Sequence, residues 1–184
     1  MYSTLPIKLY FMHISYFDLT VPVFVKRLTS LKHFLHKGIE HAKETGITEE
    51  EYLNLRLSPD MFPLARQVQI TTDNAKGTVA RLAGVEPLKI EDTETTFAEL
   101  EARIDIVIAH LESFTEDQFT KVETRKIELP YFEGKYFIAK DYLTEFALPN
   151  FYFHLNMAYA IIRTSGVPLG KPDYLGALTM HDLP

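Results

Sequence analysis

Residues 149–160 read PNFYFHLNMAYA. On a helix this stretch is apolar nearly all the way round, and after Asn150 only His154 and Asn156 interrupt its aromatic and aliphatic side chains. Such a helix has to be covered on most sides, at the centre of a bundle or in part by another subunit. Pro149 disfavours helical geometry at Leu148, so the spacing predicts a segment from about Asp141, a kink or restart at Leu148, and a main helix from Asn150 to Ser165. Gly166 and Pro168 are its stop signals.

Upstream, RKIELPYFEGKYFIAK (125–140) alternates at Ile127 and Leu129 and again at Tyr136 and Ile138, around a turn with Pro130 and Gly134. That pattern predicts a β-hairpin. Before it, Thr96 and Glu99 form a capping box for a helix running to about Ser113, with Phe97, Leu100, Ile104, Val107 and Leu111 as its buried stripe. A further helical pattern covers about Asp60 to Ala83, read with Asp60 as cap, Pro63 in the first turn and Gly84 as terminator. The first pattern runs from about Thr20 to Thr45, with Asp18 or Thr20 as cap and Pro22 in the first turn. Its seam is Phe24, Leu28, Leu31, Leu35, Gly38 and Ala42, and Gly46 closes it in a left-handed conformation. Thr48 and Glu51 make a second capping box for a short connecting helix. The tail VPLGKPDYLGALTMHDLP (167–184) reads as a loop packed over the rest. Four long helices with short connectors predict an all-α four-helix bundle, with the hairpin inserted between helices three and four.

The 184 residues fit one domain, placed at 15–184 behind an N-terminal extension over 1–14, with Met12 as an alternative start. Apolar residues make up 46% and charged residues 24%, an ordinary globular balance. The net charge of −6 argues against duplex nucleic acid as a partner, because that needs a basic face. Lys121, Arg125 and Lys126 come nearest to one but are interleaved with Glu123 and Glu128. There is no cysteine, which excludes disulfides, thiolate nucleophiles and Cys-ligated zinc and is compatible with the cytoplasm. The apolar runs are too short and interrupted to span a bilayer, so no membrane partner is expected.

Chemistry has few places to sit. His154 shares a stripe with Asn150, Ala158 and Ile161. It reads either as a core histidine donating to a carbonyl or carboxylate, or as a metal ligand lacking a good partner one turn before or after it. In RQVQITTDNAK (66–76), Gln67, Thr71, Asn74 and Thr78 lie on one stripe, and Gln69, Asp73 and Lys76 on another. This is either a solvated face, with Asp73 and Lys76 as an exposed ion pair, or a polar pocket wall with Gln67 or Asp73 facing His154. Glu91, Asp92 and Glu94 read as a solvated acidic loop. His33, His36 and His41 share no narrow face, and His110 lies between apolar residues. HExxH, phosphate-binding glycine loops and GxSxG are absent from the sequence.

YFDLTVPVF (16–24), SPDMFPLARQVQITTDNAKGTVARLAGVEP (58–87), TFAELEARI (96–104) and LPNFYFHLNMAYAIIRTSGVPLGKPDYLG (148–176) together resemble a family of bacterial and fungal proteins, the domain-of-unknown-function family nineteen-ninety-three. The resemblance spans about Ser15 to Gly176. It implies the fold of the DinB/YfiT-like metalloenzyme superfamily, whose members are four-helix bundles and often dimers. Many of them hold nickel or zinc with one histidine on helix two and two, spaced by four, on helix four. Some act on low-molecular-weight thiol conjugates or isomerise small organic acids. Here His154 stands at a helix-four position between Asn150 and Ala158, and Gln67 stands near the helix-two position. The expectation is a cytoplasmic homodimer that binds a small molecule in a polar pocket around His154, Asn150, Gln67 and Asp73. Its alternatives are a divalent-metal-dependent enzyme, with nickel or zinc on His154 in a non-standard site, and a structural dimeric bundle.

Overall fold

In the computed structural model, residues 14–183 are described, so the expected extension and Met12 fall outside them except for Ile14. Helix α1, Val21–Thr45, buries its whole predicted seam. Thr20 precedes it, but its hydroxyl donates to the Tyr16 carbonyl at 2.6 Å rather than capping the helix. Gly46, at φ 74°, ends α1 in the left-handed region. Both predicted capping boxes form: Thr48 with Glu51 opens α2, Glu49–Leu53, and Thr96 with Glu99 opens α4, Phe97–Glu112.

Between them α3 runs Leu64–Ala83, starting later than expected. The predicted cap at Asp60 instead receives the Ser58 hydroxyl in a preceding turn. Pro63, with ψ at 168°, is the residue before the helix. A proline disfavours helical geometry in the residue before it, so Phe62 cannot readily continue a helix from Asp60 into Pro63.

Strands β1, Lys126–Glu128, and β2, Tyr136–Ile138, pair antiparallel with Ile127 opposite Phe137, giving the expected hairpin between the third and fourth long helices. The chain then enters α5, Ala139–Asp141, a π turn, Tyr142–Ala147, and α6, Leu148–Thr164, without a break. The kink or restart expected at Leu148 is replaced by this π turn, in which the Leu148 N–H donates to the Leu143 carbonyl, five residues back. Pro149 has no N–H to give, and in a regular α-helix its ring would meet the carbonyl of Glu145. Widening the preceding turn by one residue removes that conflict.

Helix α3 packs chiefly on α6, and α1 on α4; contacts of α3 with α4 and of α1 with α6 close the bundle. The Phe24 and Phe151 rings meet across the core at 4.5 Å. The tail is not all loop, because Lys171–Leu175 form α7. Arg27 donates to the Tyr174 and Leu175 carbonyls, both at 2.6 Å, and so clamps the end of α7 to α1. Asp173 meets His33 Nε2 at 2.9 Å, Lys37 Nζ at 3.1 Å and the Gly170 N–H at 2.8 Å. The bond with His33, then that from Gly170, holds its carboxyl well below the usual range.

The acidic segment read as solvated loop is part of the fold. Arg103, 1% exposed, donates from Nε to Thr72 at 2.7 Å and from Nη1 to Glu94 at 2.8 Å and the Glu91 carbonyl at 3.1 Å. Its Nη2 reaches Asp73 at 2.6 Å and Asp92 at 2.9 Å. Arg66 pairs with Asp92, and Gln69 donates to Glu94 at 2.9 Å. Burial works against the charge of Arg103, but Glu94, Asp73 and Asp92 outweigh it and raise its pKa. Asp73 and Lys76 do pair, at 3.0 Å, but Lys76 is buried rather than on a solvated face.

Candidate functional site

The face of α3 that reads Gln67, Thr71, Asn74, Thr78 is turned toward α6 and the π turn. Thr71 donates to the Gln67 carbonyl at 2.7 Å, Thr78 lies 3.4 Å from Asn74 Oδ1, and the Thr78 and Tyr142 hydroxyls are 3.4 Å apart. At the other end, His154 Nδ1 lies 2.7 Å from Gln67 Oε1, and Gln67 Nε2 donates to the Phe62 carbonyl at 3.1 Å. The Gln67–His154 and Thr78–Tyr142 contacts set the two elements antiparallel, with a polar seam between otherwise apolar faces.

These bonds determine which nitrogen of His154 carries the proton. The Phe62 carbonyl can only accept, so Gln67 must turn its NH2 toward it and its oxygen toward the ring. That oxygen can only accept in turn, so Nδ1 carries the hydrogen and Nε2 keeps a lone pair. Nε2 has no hydrogen-bond partner among the described residues and is not sealed from solvent, although the residue is only 8% exposed. Burial, and then the positive charge of Arg66, push the imidazole below its ordinary pKa of 6.5. His154 is therefore a neutral, oriented acceptor at pH 7.

The four residues singled out from the sequence divide into two places. Gln67 and His154 form the hydrogen-bonded pair. Asn150, one turn before His154, and Asp73 line a neighbouring cavity of about 150 Å³ with Ile70, Asn74, Arg81, Tyr131, Tyr142 and Phe146. Asp73 spends one oxygen on Arg103 and Lys76. Arg81 and Arg103 were not singled out; their i, i+4 glycine and acidic neighbours were the available signals.

A nickel or zinc ion of the kind the superfamily holds needs about three protein ligands. Among the described residues no group of three or more His, Asp or Glu side chains is gathered closely enough to hold an ion. Gln67 Oε1 is occupied by the Nδ1 hydrogen, which leaves His154 Nε2 as one strong donor without companions. The residues present do not fit the three-histidine centre.

The buried neutral histidine sets a pH dependence. The unfolded chain takes up a proton near pH 6.5 and the folded chain only at lower pH, so between those two values the unfolded state binds more protons. Stability contributed by neutral His154 is thus present above pH 6.5 and is lost as pH falls toward the folded value. His110, lowered by burial and by Lys76, adds a loss of the same sign. Urea unfolding of wild type and His154→Gln at pH 7.5 and pH 5 is expected to show a smaller acid loss in the variant; equal losses would contradict a depressed His154.

No described helix is long and apolar enough to cross a membrane. The chain is 43% identical to a DinB family member protein from Shewanella denitrificans of known crystal structure, over 91% of this chain and 95% of that one, with a TM-score of 0.87. No curated protein matches it. The family model described as Domain of unknown function (DUF1993) matches residues 16–175, and with the capping boxes, the hairpin and the α3–α6 seam all inside that span, the chain belongs to the DUF1993 family and has a DinB-like fold.

Proposed function

We propose that this protein binds a small molecule at the polar seam between α3 and α6, with His154 Nε2 accepting a hydrogen bond from it. The observation that carries this reading is the orientation of that nitrogen: Phe62 orients Gln67, Gln67 orients His154, and the remaining lone pair has no partner among the described residues. A neutral acceptor next to the cationic Arg66 suits a ligand hydroxyl or amide N–H and disfavours an ammonium group. Asn150, one turn before His154 on α6, and Asp73, further along α3 than Gln67, line the adjoining cavity.

A homodimer in the cytoplasm belongs to the same reading. It is supported by the outer face of α6, where Phe153 is 52% exposed, and by Phe62, 54% exposed, just before α3. A nearly all-apolar helix that its own chain leaves open at Phe153 is suited to cover there from a second copy.

The binding reading is tested with small neutral amides and alcohols, N-methylacetamide and 1,2-propanediol, followed by the His154 imidazole nitrogen signals. Saturable binding should move the Nε2 resonance more than the Nδ1 resonance. His154→Leu, with its fold verified by circular dichroism, should weaken that binding about tenfold, the usual worth of one well-placed hydrogen bond. Equal binding by the variant, or none by wild type, refutes it.

A further inference from the structure

The cavity beside the His154–Gln67 pair has a charge pattern that the seam does not require. Arg81 lines it, and its guanidinium makes no hydrogen bond or ion pair with any described residue. Its guanidinium lies back along α3 over Gly77, where a Cβ would run into Arg81 Nη1. A glycine inside a helix is ordinarily unfavourable, and this one leaves room for the guanidinium to lie close to the backbone. The one carboxylate in the lining, Asp73, already meets two cations, Arg103 and Lys76. Arg81 is therefore a cation of this lining that meets no carboxylate among the described residues.

The neighbouring polar groups are also donors in excess. The Tyr142 hydroxyl and Thr78 lead hydrogen bonding toward Asn74 Oδ1, which leaves the NH2 of Asn74 unpaired. The Asn150 amide has no partner among the described residues. Ile70 and Phe146 supply the apolar part of the wall. The cavity, about 150 Å³ in volume, admits only a small ligand.

We propose that this cavity is a binding site for a small monocarboxylate of about the size of propionate. Arg81, folded over Gly77, takes the carboxylate as a two-pronged donor, the amides of Asn74 and Asn150 meet its remaining lone pairs, and the short hydrocarbon lies against Ile70 and Phe146. The proposal needs neither His154 nor the binding reading above, because His154 and Gln67 do not line this cavity.

The test is a titration of the full chain with propionate, propionamide and propylammonium at constant chloride, followed by amide NMR. Propionate should shift the Asn74 and Asn150 side-chain signals saturably, while the amide and the ammonium should not. Arg81→Gln should weaken propionate at least about tenfold, the worth of a charge-assisted hydrogen bond. Gly77→Ala, which keeps the cation but pushes it from its position, should also weaken it, whereas His154→Gln should leave it within about twofold, as its site is separate. Undiminished binding by Arg81→Gln, equal binding of propionamide, or no saturable shift in wild type overturns the proposal. Loss of propionate in His154→Gln alone also overturns it and moves the anion to the histidine, so failure here is distinguishable from failure of the binding reading.

Discussion

Replacing Arg103 with Met should lower stability by about 3 kcal/mol, because it takes the shared cation from a buried cluster and leaves its partners behind. One guanidinium reaches Thr72 and Asp73 on α3 and Glu91, Asp92 and Glu94 in the segment before α4. Asp92 keeps Arg66, Asp73 keeps Lys76 and Glu94 keeps Gln69, which places the expected loss at the lower end of about 3–5 kcal/mol for breaking a buried pair. At about 2–4 °C per kcal/mol for a chain of this size, the midpoint should fall by about 6–12 °C. Arg103→Lys should lose less but not recover wild type, since an ammonium cannot reproduce a planar fork that spans these partners. Urea unfolding of the three proteins is the measurement. A loss under about 1 kcal/mol in Arg103→Met would mean that the cluster does not tie α3 to α4.

Phe151→Ala and Phe153→Ala should differ widely although they lie two residues apart on α6. Phe151 is 0% exposed and packs on Phe24 at 4.5 Å, so truncating it opens a cavity at the centre of the bundle and should cost about 3–5 kcal/mol. Phe153 is 52% exposed, and its loss from an isolated chain should stay within about 0.5 kcal/mol. If a second copy covers this face, as proposed, wild type should show a midpoint that rises with concentration and a dimeric mass by light scattering. Phe153→Asp should then halve that mass with Phe151 packing intact. A monomeric wild type, or a dimer that Phe153→Asp leaves unchanged, removes this face as the interface.

The architecture was legible because its signals are local. Thr48 with Glu51 and Thr96 with Glu99 announce two helix starts by side-chain reach alone, and Gly46 and Gly84 close α1 and α3 by permitting a positive φ. The stripe from Phe97 to Leu111 repeats at helical spacing and is buried along its length. Where two local preferences compete, reading is harder. Pro63, expected in the first turn of α3, stands before it, and the conflict at Pro149 is resolved by a π turn that begins at Tyr142 and precedes Phe151, both buried in the core.

Half of the candidate site was visible in the same way. His154 and Gln67 stand out as polar residues on helical stripes, but that they meet depends on how far α6 slides along α3. A long-range register of this kind is set by the packing of whole helix faces and leaves no mark in the sequence near either residue. The same holds for Asp73, which turns to Arg103, and for Glu94, which looks like part of a solvated acidic loop until Arg103 is placed under it.

By itself the sequence determined most helix starts and stops, the apolar stripe of each long helix, and that PNFYFHLNMAYA must be covered on most sides, because capping, glycine conformation and burial of a periodic face act over a few residues. Only the tertiary structure decided which polar groups are neighbours: His154 with Gln67, Arg103 with its carboxylates, the Arg81 guanidinium with none among the described residues. Electrostatic and hydrogen-bond partners are chosen by distances of a few ångströms between segments far apart in the chain, and those distances exist only once the bundle has closed.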